Sequence, residues 1–240
     1  LKRLLIIVLS SLDCMFLKVC ASWRYSVNSM LLLFFSLAIP LLSASLIVPT
    51  DNIQVTPEDP NLQFQGRYRL SNEGAVQFDF SGFRINLGVN SASSVQLLLL
   101  CDGNDQPNRF NVYIDSILMD NVIDTKYAPI GEILKYNLAT DLDGNDHILS
   151  IVKITEPDYN SPSPVVNSIS FHGFMLDHGK SIPLPPLPTR KIEFLGDSIT
   201  AGYCNMCKQP SDESDAYMKP TLVSESLNAS YHAIGQFYMI

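Results

Sequence analysis

From about residue 50 to residue 178, short apolar runs alternate with turn residues at intervals of roughly ten. That spacing predicts an all-β unit, a sandwich of jelly-roll type. Strands are expected over 64–70, 75–80, 83–87, 95–101, 110–114, 117–119, 147–155 and 168–176. Asp102-Gly103 and Asp143-Gly144-Asn145 supply turn chemistry between them. No stretch before residue 190 keeps a helical period for any length.

The pattern then changes. Pro183, Pro185, Pro186 and Pro188 crowd a segment that cannot supply strand or helix donors. It reads as a stiff, extended linker over 181–190. A short apolar strand over 192–195 stops at Gly196, and Asp197, Ser198 and a small-residue turn follow. Residues 209–215 are polar and acidic, hence a loop. A helix is expected over 217–227, with Pro220 in its first turn, and a second parallel strand over 231–234. Strand, helix, strand is the opening of a doubly wound α/β sheet. The expected organisation is an upstream segment (1–49), a β-sandwich (50–180), the linker (181–190) and the start of an α/β domain (191–240).

A serine just past a strand end stands where open α/β sheets bind ligands. Its hydroxyl is placed to attack a carbonyl, and its own N–H can face the resulting oxyanion. Gly196-Asp197-Ser198-Ile199-Thr200 resembles block I of the SGNH (GDSL-type) hydrolases. With Arg190-Lys191-Ile192-Glu193-Phe194 ahead of it, the string is similar to carbohydrate esterase family 2, whose members carry a β-sandwich before a flavodoxin-like hydrolase domain. Gly66-Arg67-Tyr68, the run Phe110-Asn111-Val112-Tyr113-Ile114-Asp115, residues 147–156 and Gly173-Phe174-Met175-Leu176-Asp177 resemble that family's sandwich in the same order.

The resemblance implies that Ser198 is the nucleophile of an acetyl-xylan-esterase-like deacetylase, with Gly196 and Asp197 shaping its loop. For Asp197 the residue type itself suggests a helix N-cap. Gly235 is the nearest match to the family's oxyanion-hole glycine, although Ile234-Gly235-Gln236-Phe237 departs from the expected Ser-Gly-x-Gly. The family's oxyanion asparagine and its base histidine find no match after Ser198. The chain is therefore expected to hold a third or less of the hydrolase domain and to have little activity by itself. His232 reads as an ordinary strand residue, and His147, His172 and His178 belong to the sandwich or its exit.

Composition adds boundaries. The net charge is −8 without a basic cluster, which speaks against a nucleic-acid partner. The first residue is Leu1, not methionine, so the chain is expected to begin upstream of the real start. An apolar run over 30–48, with Ser43-Ala44-Ser45 near its end, reads as a secretory signal or as a signal anchor. Either reading puts the rest of the chain outside the cytosol, and only a retained anchor implies a membrane partner. Cys14 and Cys20 fall in the upstream segment. Cys204-Asn205-Met206-Cys207 lacks further zinc ligands nearby and any thioredoxin-like context, so a local disulfide is expected. Cys101 reads as a core thiol, and Asn228-Ala229-Ser230 is a glycosylation sequon.

The function so read is a secreted carbohydrate esterase acting on O-acetylated polysaccharide or oligosaccharide, with no metal or cofactor. A different class remains open: a glycan-binding sandwich in a pseudoenzyme, using Tyr68, Tyr113, Tyr127 or Tyr159 to stack on sugar rings.

Overall fold

Every second residue of the run Val95–Cys101 faces one core: Val95, Leu97, Leu99 and Cys101 are all buried there. This is the period of a strand with one apolar face. The computed structural model describes residues 52–101, 108–126, 128–129, 131–157, 169–206 and 214–235. The expected signal or anchor, Cys207, Tyr127 and Tyr159 lie outside the described residues.

In chain order the sandwich strands are β1 (Ile53–Val55), β2 (Gln63–Gln65), β3 (Arg69–Leu70), β4 (Val76–Phe78), β5 (Arg84–Asn90), β6 (Val95–Cys101) and β7 (Arg109–Ile114). There follow β8 (Ile117–Leu118), β9 (Ile123–Asp124), β10 (Ile133–Ala139), β11 (His147–Lys153), β12 (Ile169–Leu176) and β13 (Lys180–Ile182). One antiparallel sheet has the order β10-β6-β12-β4-β3, with β1 also on β12. The other has the order β13-β5-β11-β7-β8, with β2 on β5 and β9 on β7.

The inward residues of both sheets form one core. Ile85, Leu87 and Val89 of β5 and Leu149 and Ile151 of β11 meet the β6 set and Phe110 and Val112 of β7. Phe78 stacks on Phe83 at 4.1 Å between ring centres. Each fully buried side chain of this size contributes about 1.5–3 kcal/mol. In β12 the buried set changes phase, from Ile169 and Phe171 to Phe174 and Leu176. A register shift between Phe171 and Gly173 absorbs the extra residue, so both halves keep their apolar side inward.

The expected strand over 64–70 is two strands, because Gly66 takes a φ of +110° and turns the chain. Sequence patterning also missed β1, β9, β10 and β13, which are short or largely exposed. The segment read as the linker begins within β13, where Ile182 pairs with Gly88 of β5.

Beyond the prolines lie β14 (Arg190–Gly196), the one-turn helix α1 (Ser198–Ala201), a 3-10 turn (Asp215–Tyr217), α2 (Lys219–Ser226) and β15 (Ala229–Gly235). Pro220 falls in the first turn of α2. β14 and β15 are parallel and in full register, from Arg190↔Ala229 to Gly196↔Gly235. The residues from Thr50 onward make one compact unit. Among the described residues no helix is long and apolar enough to cross a membrane.

Candidate active site

β14 delivers Ser198 to the carboxyl end of the parallel pair, and α1 starts on it. Asp197 is the N-cap: its Oδ1 accepts the Ile199 N–H at 3.0 Å. Its backbone oxygen accepts the N–H groups of Thr200 and Ala201. Asp197 thus engages three of the four N–H groups that open α1 and leaves that of Ser198. The helix ends at Gly202, in the left-handed region with φ +95°. Ser198 is half-buried and Asp197 is exposed.

Two glycines at the ends of the paired strands let the turn lie close. A Cβ on Gly196 would run into Thr200. A Cβ on Gly235 would lie 2.5 Å from the Ala201 nitrogen and 2.7 Å from the Asp197 oxygen. Gly235 and the turn from Asp197 to Ala201 are therefore neighbours at one sheet edge.

The four histidines lie elsewhere. His147 is held between Asp115, at 2.7 Å, and Asp143, at 2.8 Å. His178 Nδ1 lies 2.9 Å from Asp177, and His172 is on β12. His232 pairs with Glu193 in the register, with Nδ1 4.0 Å from its carboxylate. Burial pushes the His232 pKa down, which Glu193 opposes. It stands three positions before Gly235, about 10 Å along the strand.

Cys204 is disulfide-bonded; Cys207, its expected partner, lies outside the described residues. Cys101 is buried in the sandwich core. Asn228 is exposed in the turn between α2 and β15, with φ +46°. Among the described residues no group of three His, Cys, Asp or Glu gathers to hold a metal ion.

Among the described residues, polar contacts join the serine segment to the sandwich at two places, and sequence reasoning found neither. Arg67 of the Gly-Arg-aromatic run reaches Glu193 of β14 at 2.6 Å. Asp215, fully buried, accepts from Asn111 Nδ2 at 2.5 Å and from the Tyr113 hydroxyl at 3.0 Å, with Arg84 at 3.7 Å. Burial raises the Asp215 pKa against the opposing pull of Asn111, Arg84 and Tyr113. The Tyr113 hydroxyl is thereby committed to a carboxylate. Tyr68 stays 48% exposed.

The family profile described as "Carbohydrate esterase 2 N-terminal" matches residues 64–186, just over half of the chain. The chain belongs to carbohydrate esterase family 2. Over 200 residues it is 25% identical to the cellulase/esterase CelE of Acetivibrio thermocellus, covering 77% of this chain and 22% of that protein. A family two carbohydrate esterase from Clostridium thermocellum, solved in complex with cellohexaose, superposes with a TM-score of 0.62 at 22% identity. That match covers 73% of this chain and 51% of the other. An acetyl xylan esterase from the rumen bacterium Butyrivibrio proteoclasticus gives 0.64 at 18% identity, over 78% and 48%. The chain thus spans about half the length of these solved family 2 esterases. At such identities the likeness concerns the fold, and it supports a β-sandwich before the serine segment.

Proposed function

We propose that the protein from which this chain comes is a secreted carbohydrate O-deacetylase with Ser198 as its nucleophile. The observation that carries the reading is the shared edge: Ser198 opens α1 at the end of β14, and Gly235 closes the adjacent strand beside it. Membership of family 2 supplies the reaction class, an ester of a carbohydrate. The cellohexaose complex of a relative supports a glycan as the substrate. The parallel pair with its intervening helices is consistent with the opening of an SGNH, flavodoxin-like domain over 191–240.

In this mechanism Ser198 Oγ attacks the acetyl carbonyl carbon while its proton passes to a base. The tetrahedral oxyanion accepts from the N–H groups of Ser198 and Gly235. Its collapse releases the sugar hydroxyl, which takes up the proton. Water then hydrolyses the acetyl-serine to acetate and regenerates the enzyme. Among the described residues none is placed as that base: His147, His178 and His232 face carboxylates, His172 lies on β12 of the sandwich, and Asp197 caps α1. We therefore expect this chain alone to be a weak catalyst.

The experiment is hydrolysis of an aryl acetate and of acetylated xylan, by the chain and by a form extended with a base histidine. Turnover by the extended form, lost by at least about 10³-fold in Ser198→Ala, is expected. Activity that survives Ser198→Ala would sink the assignment. Strong turnover by the chain itself would overturn its expected weakness. Secretion, through the segment before residue 50, fits the disulfide at Cys204, since such bonds persist in oxidising compartments.

A further inference from the structure

Asp215 is an acid on a connecting segment, yet none of its side chain is exposed. A buried carboxylate is costly unless other groups satisfy it. Here the sandwich supplies those groups from far along the chain. Asn111 and Tyr113 of β7, 104 and 102 positions earlier, donate to it. Arg84 of β5 faces it and lies 5.7 Å from the centre of the Tyr113 ring.

From Asp215 two routes lead to α1. Its neighbour Ser214 is clasped by Asn205: the Ser214 N–H donates to Oδ1 at 2.9 Å, and Nδ2 donates to the Ser214 oxygen at 2.7 Å. The Asn205 N–H in turn donates to the oxygen of Gly202, the C-cap of α1, at 3.1 Å. On the other side the Met218 N–H donates to the Asp215 oxygen at 3.1 Å. Met218 is buried with Tyr231 and Ala233, close enough to Gly202 that a Cβ there would meet its Cγ at 2.7 Å.

A four-residue helix has no stability of its own. A two-stranded parallel sheet cannot bury both faces to orient it. We propose that Asp215 is a positioning residue: docked among Arg84, Asn111 and Tyr113, it fastens to the sandwich the turn of helix that begins at Ser198. The sandwich is then a template for the serine edge and not merely its neighbour. The proposal takes that edge as the working one, as above, but its test reads backbone motion and not turnover, so the two can fail separately.

The test is hydrogen–deuterium exchange on the full chain, with Asp215→Ala and Asp215→Asn beside the wild type. Asp215→Ala is expected to speed exchange of amides in 198–206 and 217–226 by about tenfold or more, while β6 and β12 keep wild-type rates. Asp215→Asn still accepts a hydrogen bond and should fall between the two. Unchanged exchange in α1 overturns the proposal. So does an equal rise in β6 and β12, which would mark a purely structural acid. If Asp215→Ala does not fold, Tyr113→Phe removes one donor and leaves the carboxylate in place. A rise of about threefold confined to the same segments is then expected, and no rise overturns the proposal.

Discussion

One absent methyl group at Gly235 lets α1 rest on β15. A Cβ there would meet backbone atoms of Ala201 and Asp197, not the yielding end of a side chain. Overpacking of this kind costs about 1–3 kcal/mol. Gly235→Ala is expected to lower the urea midpoint accordingly, and an unchanged midpoint would refute the close packing. The turn at Gly196, Asp197 and Ser198 was legible because its signals are local: a strand stop, a cap and a helix start in consecutive positions. Asp215 was not. In the sequence it closes a polar, acidic stretch that reads as solvated loop, and its donors lie about a hundred positions away. Arg67 was noticed as part of a sandwich motif, but nothing nearby in the chain points to Glu193.

At the scale of elements, strands with a strict two-residue period were read almost to the residue. β6 is the clearest, and β12 was found whole although its phase slips at Gly173. The missed strands are those whose exposed faces hide the alternation, such as β10, where Ile133 is 49% exposed. The turn between α2 and β15 carries a prediction of its own. Asn228 is exposed there, but Ser230 of the same sequon is buried, with its hydroxyl 3.3 Å from the Arg190 oxygen. A glycosylating enzyme must reach both residues, so attachment has to precede the pairing of β14 with β15. Expressed through a eukaryotic secretory pathway, the chain is expected to carry a glycan that an amide-cleaving glycosidase removes and that Asn228→Gln abolishes. A wild-type chain of unshifted mass would refute this. The sugar would sit just before the amino end of β15, seven positions from Gly235, about 23 Å from the serine edge.

For the whole molecule, the central question is how a parallel pair of strands stays folded. The sandwich meets it at Arg67, at the Gly82 turn beneath Tyr231 and at the Asp215 pocket. One cooperative unfolding transition is therefore expected, not two. Its pH dependence reports the pocket. Because burial raises the Asp215 pKa, the fold holds that proton more tightly than the unfolded chain does. The associated stability is full below the unfolded value of about 3.9 and lost as pH rises through the folded value. Arg84, Asn111, Tyr113 and Tyr231 face the carboxyl group. Arg84 stays charged throughout, Asn111 does not titrate, and both tyrosines are raised and stay neutral. Asp177 is held at about pH 2, where hydrogen bonds from Ser93 and Ser94 outweigh burial, so it is ionised throughout this range. Subtracting the stability of Asp215→Asn from that of the wild type isolates the titration of Asp215 from that of every other group. Measured by urea denaturation from pH 4 to pH 7, the difference should shrink as pH rises. A difference that widens instead would mean that the Arg84 ion pair, and not the protonated acid, holds the serine segment to the sandwich.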